Sequence, residues 1–168
     1  DGSIVWDYIY ANSDHYSHHD LTLVGDNVLI TAWEVKTASD INAAGGSTNS
    51  DKWPTHFVEI QGDSVSGTAQ IVWEWHLWDH MIQDTDPSEP NYGIISDNPQ
   101  LFDINMISSS GGGPGGNSGD WFHVNGVDYN EEWKEFQDGQ LNSNKYSKYR
   151  NITDCTVLQV DFTYMTHI

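Results

Sequence analysis

The sequence predicts an all-β fold: a partial β-propeller of about three blade equivalents, with long loops and one or two short helices. Three observations carry this reading. Segments rich in β-branched and aromatic residues recur along the chain, whereas helical signals are few. Turn-forming Gly, Asp, Asn and Ser punctuate those segments. A unit of strand followed by histidine also repeats. "GSIVWDY" (2–8) resembles "AQIVWEW" (69–75), with Trp6 matching Trp73 and histidines following each copy, His18-His19 and His80. The spacing exceeds the usual ~40–50 residues per blade, so the excess must be loops, Thr37–Asp51 being the natural candidate.

The elements follow in order. "SIVWDYIY" (3–10) reads as a strand. "LTLVGDNVLITAWE" (21–34) reads as a hairpin about the turn Gly25-Asp26-Asn27. "TASDINAA" (37–44) reads as a short helix. "HFVEIQ" (56–61) and "QIVWEW" (70–75) flank a Gly/Ser-rich link and form a second hairpin. "SDNPQLFDI" suggests a helical turn or two, with Asn98 as N-cap and Pro99 at the first position. "SSSGGGPGGNSG" (108–119) has no side chains for a core and reads as a loop. "WFHVNGVDY" (121–129) reads as a strand, and "TVLQVDFTY" (156–164) alternates with period two.

A length of 168 residues is that of one ordinary domain. The chain starts at Asp1 without a signal peptide and reads as a processed form or a fragment. No stretch reaches the ~20 apolar residues of a membrane helix. The net charge is −19. All of it falls in residues 1–133, where Lys36 and Lys52 are the only Lys or Arg; residues 134–168 balance. Such a field repels nucleic acid and anionic membranes and argues against both as partners. The lone Cys155 leaves no internal disulfide and no multi-cysteine zinc site. Asn151-Ile-Thr153 is a glycosylation sequon, a pattern common by chance.

Histidine-rich segments could carry chemistry. "HYSHHDL" holds His15, His18, His19 and Asp20. Imidazole and carboxylate suit zinc or copper, but a site needs three or four convergent ligands, and adjacent strand residues face opposite ways. Metal binding, a surface cluster and a pocket-lining role for one of these histidines remain open. In "QIVWEWHLWDHMIQD" (70–84), Val72 and Glu74 face one way, and Trp73 and Trp75 face the other as packing residues. Asp79 and His80 lie beyond the strand, where sites are usually built, and a carboxylate next to the His80 ring could orient it, a contact that sequence alone does not show. In "GDWFHVNGVDY", a Gly-rich loop delivers Trp121 and His123, and His123 shares a strand face with Asn125.

Taken in order, "HHDL…DNVLITAWE", "IVWEWHLWDHMIQD" and "GDWFHVNGVDYN" resemble the bacterial arylsulfotransferase family over residues 1–133. The resemblance implies a β-propeller with its active site in the central channel and a periplasmic or secreted location. It implies transfer of a sulfuryl group from an aryl sulfate to a phenol through a transiently sulfated histidine, without a nucleotide or other cofactor. His123 matches a family histidine that contacts the transferring group. His18 or His19 matches another active-site position, and His80 matches a recurrent "DH". The expected catalytic residues are therefore His123, His19, His18 and His80, with Asn125, Trp121 and Asp79 binding substrate and no metal. The family's arginine has no counterpart in "EEWKEFQDGQLNSNKYSKYR", because Arg150 lies too far along. Its nucleophilic histidine belongs to a later blade.

Sulfuryl transfer is an in-line displacement with charge spread over peripheral oxygens, so catalysis rests on positioning and cationic stabilisation. Histidine suits both the covalent route and hydrogen-bond donation near its pKa of ~6.5. Loss of the arginine and nucleophile should lower turnover by several orders of magnitude, at ~10²–10³ per group. About three blades cannot close a ring of four to eight, and their open edges invite self-association. A non-catalytic β-rich self-assembling module and a histidine-based metal binder are the alternatives. Residues 134–168 read as a divergent tail.

Overall fold

The structure, a computed structural model, describes residues 1–106, 119–121, 124–129, 150–152 and 155–157. Among the described residues it is mostly β-sheet with one short α-helix. The strands are β1 (His15–Val24), β2 (Asn27–Glu34), β3 (Trp53–Asp63), β4 (Thr68–His76), β5 (Met81–Ile82), β6 (Phe102–Asp103), β7 (Asp120–Trp121), β8 (Arg150–Ile152) and β9 (Cys155–Val157). Helix α1 spans Ala38–Ala43. β1 to β4 form an antiparallel meander in chain order, and β7 adds in parallel against the start of β3. β5 and β6 pair in parallel, β8 and β9 antiparallel. Among the described residues the sheet does not close on itself.

Both hairpins form as their turn chemistry predicts. Val24 pairs with Asn27, leaving Gly25-Asp26 as a two-residue loop, and Gly25 adopts φ 60. A primed turn requires that sign at its first position, and glycine takes it without steric cost. β3 and β4 pair from Asp63↔Thr68 to His56↔His76. Helix α1 has a capping box: Thr37 Oγ1 accepts from Asp40 N–H at 3.2 Å, while the Asp40 carboxylate accepts from Thr37 N–H at 3.0 Å.

Alternation gives the sheet two unlike faces. Leu29, Phe57 and Trp75 pack with Leu77, Met81, Phe102, Trp121 and Val124 on the aromatic face, with Trp73 partly buried against them. Ile30, Ala32, Val58 and Ile60 pack with Tyr10 on the opposite face, with Trp6, Ala69 and Ile71 alongside. Two bulges interrupt the alternation, between Ser17 and Leu21 in β1 and beside Glu59 and Ile60 in β3. The second leaves Val72 between the residues paired with Ile60 and Glu59; Val72 and Glu74 are both exposed, while Trp73 and Trp75 pack on the aromatic face.

Four expectations are corrected. Residues 3–10 form no strand. The segment crosses the sheet with Trp6 and Tyr10 seated and Ile4, Val5 and Ile9 exposed. Strand propensity yields a ladder only where a partner strand is available. The 2–8 and 69–75 copies are therefore not equivalent, since the second alone is a strand, and Trp6 and Trp73 lie on opposite faces. Asn98 does not open a helix. A 3₁₀ turn at Ile95–Asp97 precedes it, and its side-chain amide donates to the Ile94 carbonyl at 2.9 Å, closing that turn. Among the described residues of 121–129, ladder pairing is confined to Trp121 and a bridge at Val124, and 125–129 is irregular. Within the 156–164 segment, β9 reaches Val157; the rest, like the 108–118 loop and most of 134–168, lies outside the described residues.

Candidate functional site

The aromatic face gathers all three segments that resembled the sulfotransferases. The β1 bulge brings His18, His19 and Asp20 into a strand that regular pairing would have held flat. The Thr31 hydroxyl holds the bulge by bonding the His18 carbonyl and the Asp20 N–H. His18 lies flat on the Trp33 indole, ring centroids 3.6 Å apart. His19 is exposed at φ 56, a backbone region rare for residues with a Cβ, with its ring 5.1 Å from that of His18. Asp20 reaches the third segment, where its Oδ2 accepts the Val127 N–H at 3.1 Å.

β7 is fixed next to this bulge. Trp53 pairs with Asp120 and Pro54 with Trp121. Asp120, which the sequence reading passed over, accepts the Trp33 indole N–H at 3.1 Å while itself buried. The carboxylate therefore orients the surface on which His18 lies. Trp121 is 2% exposed and packs in the same cluster as Trp75, Val124 and Val127. Asn125 is half-buried in the following irregular segment. His123 lies outside the described residues, and so does its expected pairing with Asn125.

The "WDH" segment forms a 3₁₀ turn, Leu77–His80, directly after β4. Leu77 is wholly buried and anchors it. His80 folds back to stack on Trp75, centroids 4.8 Å apart and planes 16° from parallel. Burial holds the His80 imidazole below its ordinary pKa, against the opposing Asp79 charge. Asp79 is exposed and serves His80 through that charge; no hydrogen bond joins the two among the described residues. The indole N–H groups of Trp75 and Trp121 are buried without a hydrogen-bond partner among the described residues. Two such donors on one face are unusual, because buried N–H groups almost always find acceptors.

The opposite face holds a second cluster that sequence reading missed. Tyr10 Oη and His56 Nε2 share a 2.7 Å hydrogen bond. His56 is wholly buried and stacks on His76 at 4.8 Å with planes 6° apart. His76 Nδ1 lies 3.2 Å from Glu34 Oε1, and Lys36 Nζ lies 2.8 Å from Glu34 Oε2. His15 stacks on Tyr10 at 4.2 Å. Burial, reinforced by the neighbouring His76, pushes His56 down to about 3. The hydrogen bond to Glu34 raises His76 against its burial. Burial would raise Glu34, but the bonds from His76 and Lys36 outweigh it and hold the carboxyl below its usual range. The hairpin register carried the signal for this cluster. "HFVEIQ" begins at His56, and His76 follows "QIVWEW", so an antiparallel hairpin brings the two together. Among the described residues no group of three His, Cys, Asp or Glu is placed to hold a metal ion.

No family model, curated protein or solved structure matches the chain.

Proposed function

We propose that the chain is part of an arylsulfotransferase-like β-propeller and supplies part of a site for sulfuryl transfer from an aryl sulfate to a phenol. The observation that carries this reading is the meeting of the three resembling segments on one sheet face: Asp20–Val127 and Trp33–Asp120 join the first to the third, and Trp75 of the second packs with Leu29, Trp121 and Val124. A four-stranded antiparallel meander is also the unit from which propellers are built. The Trp75 and Trp121 N–H groups are buried donors without an acceptor among the described residues, a need that sulfuryl oxygens would meet. His18, His80 and His123 would stabilise the charge on the sulfuryl oxygens, with Asn125 as a neutral donor. The nucleophilic histidine and the arginine would come from further blades. Partners are accordingly an aryl sulfate and a phenol, without nucleic acid, membrane or cofactor, in a periplasmic or secreted setting.

Saturable calorimetric binding of 4-nitrophenyl sulfate, weakened about tenfold or more by His123→Ala, is the expected result. The tenfold corresponds to ~1.5 kcal/mol for one charge-assisted hydrogen bond. Acceptor-dependent release of nitrophenol should be slow and should vanish in the same variant. An absence of both binding and release with every acceptor phenol contradicts the proposal.

A second reading is a non-catalytic, self-associating β module. It is favoured by the outer edge of β1, where Leu21 and Leu23 are exposed, and by the exposed Ile4, Val5 and Ile9 of the N-terminal segment. Sedimentation distinguishes it: a monomer at every concentration contradicts assembly.

A further inference from the structure

We infer that the N-terminal segment, residues 1–11, is an acid-sensitive strap, seated over the sheet by Tyr10 on the His56–His76 pair and released from it as pH falls below neutrality. The inference concerns the face opposite the proposed sulfuryl site and does not depend on that reading.

The strap has few fastenings. Residues 1–10 form no ladder. Ser17 N–H donates to the Tyr10 carbonyl at 3.1 Å, and a single bridge joins Ala11 to Tyr16. The Trp6 ring lies so close over Gly62 that a Cβ there would collide with it. Tyr10 itself is 7% exposed. Beneath the strap lie Ile30, Ala32, Val58 and Ile60, so its departure would bare an apolar sheet face.

The seat is built from groups that titrate. His56 is covered by Tyr10, and among the described residues its Nδ1 has no hydrogen-bond partner. The groups around it are Tyr10 from the strap, His15 and His18 from β1, Glu34 from β2, and His76 and Glu74 from β4, with Lys36 beside Glu34. Burial and the adjacent His76 make the seated His56 resist protonation. A released strap gives the ring to water, where an ordinary pKa of ~6.5 is regained. The lowered pKa sets the sign. Seating is fully stabilised above about 6.5, and each unit of pH below that favours release by up to tenfold until about pH 3. His76 works the other way. Its pair with Glu34 is strongest below about 6.5, so it stays charged against His56 as acid is added.

The Ser17 amide reports the seating, because its acceptor is on the strap. Its hydrogen exchange, measured by NMR and corrected for intrinsic rates, should lose protection roughly ten- to thirtyfold between pH 7.5 and 5.0. The Val58 amide, in the middle strand β3, should not change over that range. His56→Gln retains a polar atom at the Nε2 position but cannot titrate; its Ser17 protection should change less than threefold. Unchanged wild-type protection overturns the inference. So does an equal pH response in His56→Gln, which would assign the effect to another group. If that variant does not fold, wild type still decides. Joint loss at Ser17 and Val58 is global acid unfolding and overturns it, whereas loss at Ser17 alone supports it.

Discussion

The two faces of the sheet are made from the same four strands and use their histidines in opposite ways. On the aromatic face His18 and His80 each lie on an indole, Trp33 and Trp75 respectively. On the other face His76 lies on a second imidazole and is tied to a carboxylate, Glu34. Environment therefore sets the proton affinities in opposite directions: burial lowers His80, and the Glu34 hydrogen bond raises His76. Residues only four positions apart in the chain differ because the strand ends between them, at His76, and the 3₁₀ turn folds His80 back onto the other face.

The comparison can be broken first at its core. Phe57 is 2% exposed and meets Trp75 on the aromatic face. Phe57→Ala should cost about 3–5 kcal/mol in urea unfolding, because it removes a buried ring and leaves a cavity. A loss under ~1 kcal/mol would mean that this face is not the main core. On the opposite face the sensitive point is an absence of side chain. Gly62→Ala should displace Trp6 and cost about 1–3 kcal/mol by overpacking. Its tryptophan fluorescence should shift to the red; an unshifted spectrum with unchanged stability would show that Trp6 does not sit there. Away from both faces, Thr37→Ala should cost about 1 kcal/mol, the ordinary value of an N-cap. A cost comparable to that of Phe57→Ala would contradict a purely local role.

The finest distinction is in the titrations. By NMR, His76 should titrate above ~6.5, and His80 below it. The contribution of His76 to stability is present below ~6.5 and declines as pH rises through its folded pKa. That of His80 is present above ~6.5 and declines as pH falls toward its folded pKa. Glu34→Gln should bring His76 down while leaving His80 unmoved. Coincident midpoints in wild type would erase the difference between the faces.

Sequence revealed the parts of this arrangement that depend on local rules. Alternation and turn residues placed both hairpins, and the short helix was read within 37–44. The end of β4 also separated packing from turn, so Trp75 and His80 were assigned to different roles. Longer-range terms were not legible. A bulge leaves no mark in composition, so the turning of His18 onto Trp33 was hidden. Residues 3–10 have strand-forming side chains, but a ladder needs a neighbour that sequence does not supply. Asp120 read as part of a loop until its bond to Trp33, 87 positions away, gave it a place.

The most direct test of the functional account is a chemical-shift titration of the tryptophan indole N–H signals with 4-nitrophenyl sulfate. The account predicts saturable shifts at Trp33, Trp75 and Trp121, none at Trp6, and loss of saturation in His123→Ala. Shifts at Trp6 alone, or no saturable shift at any indole, would contradict it.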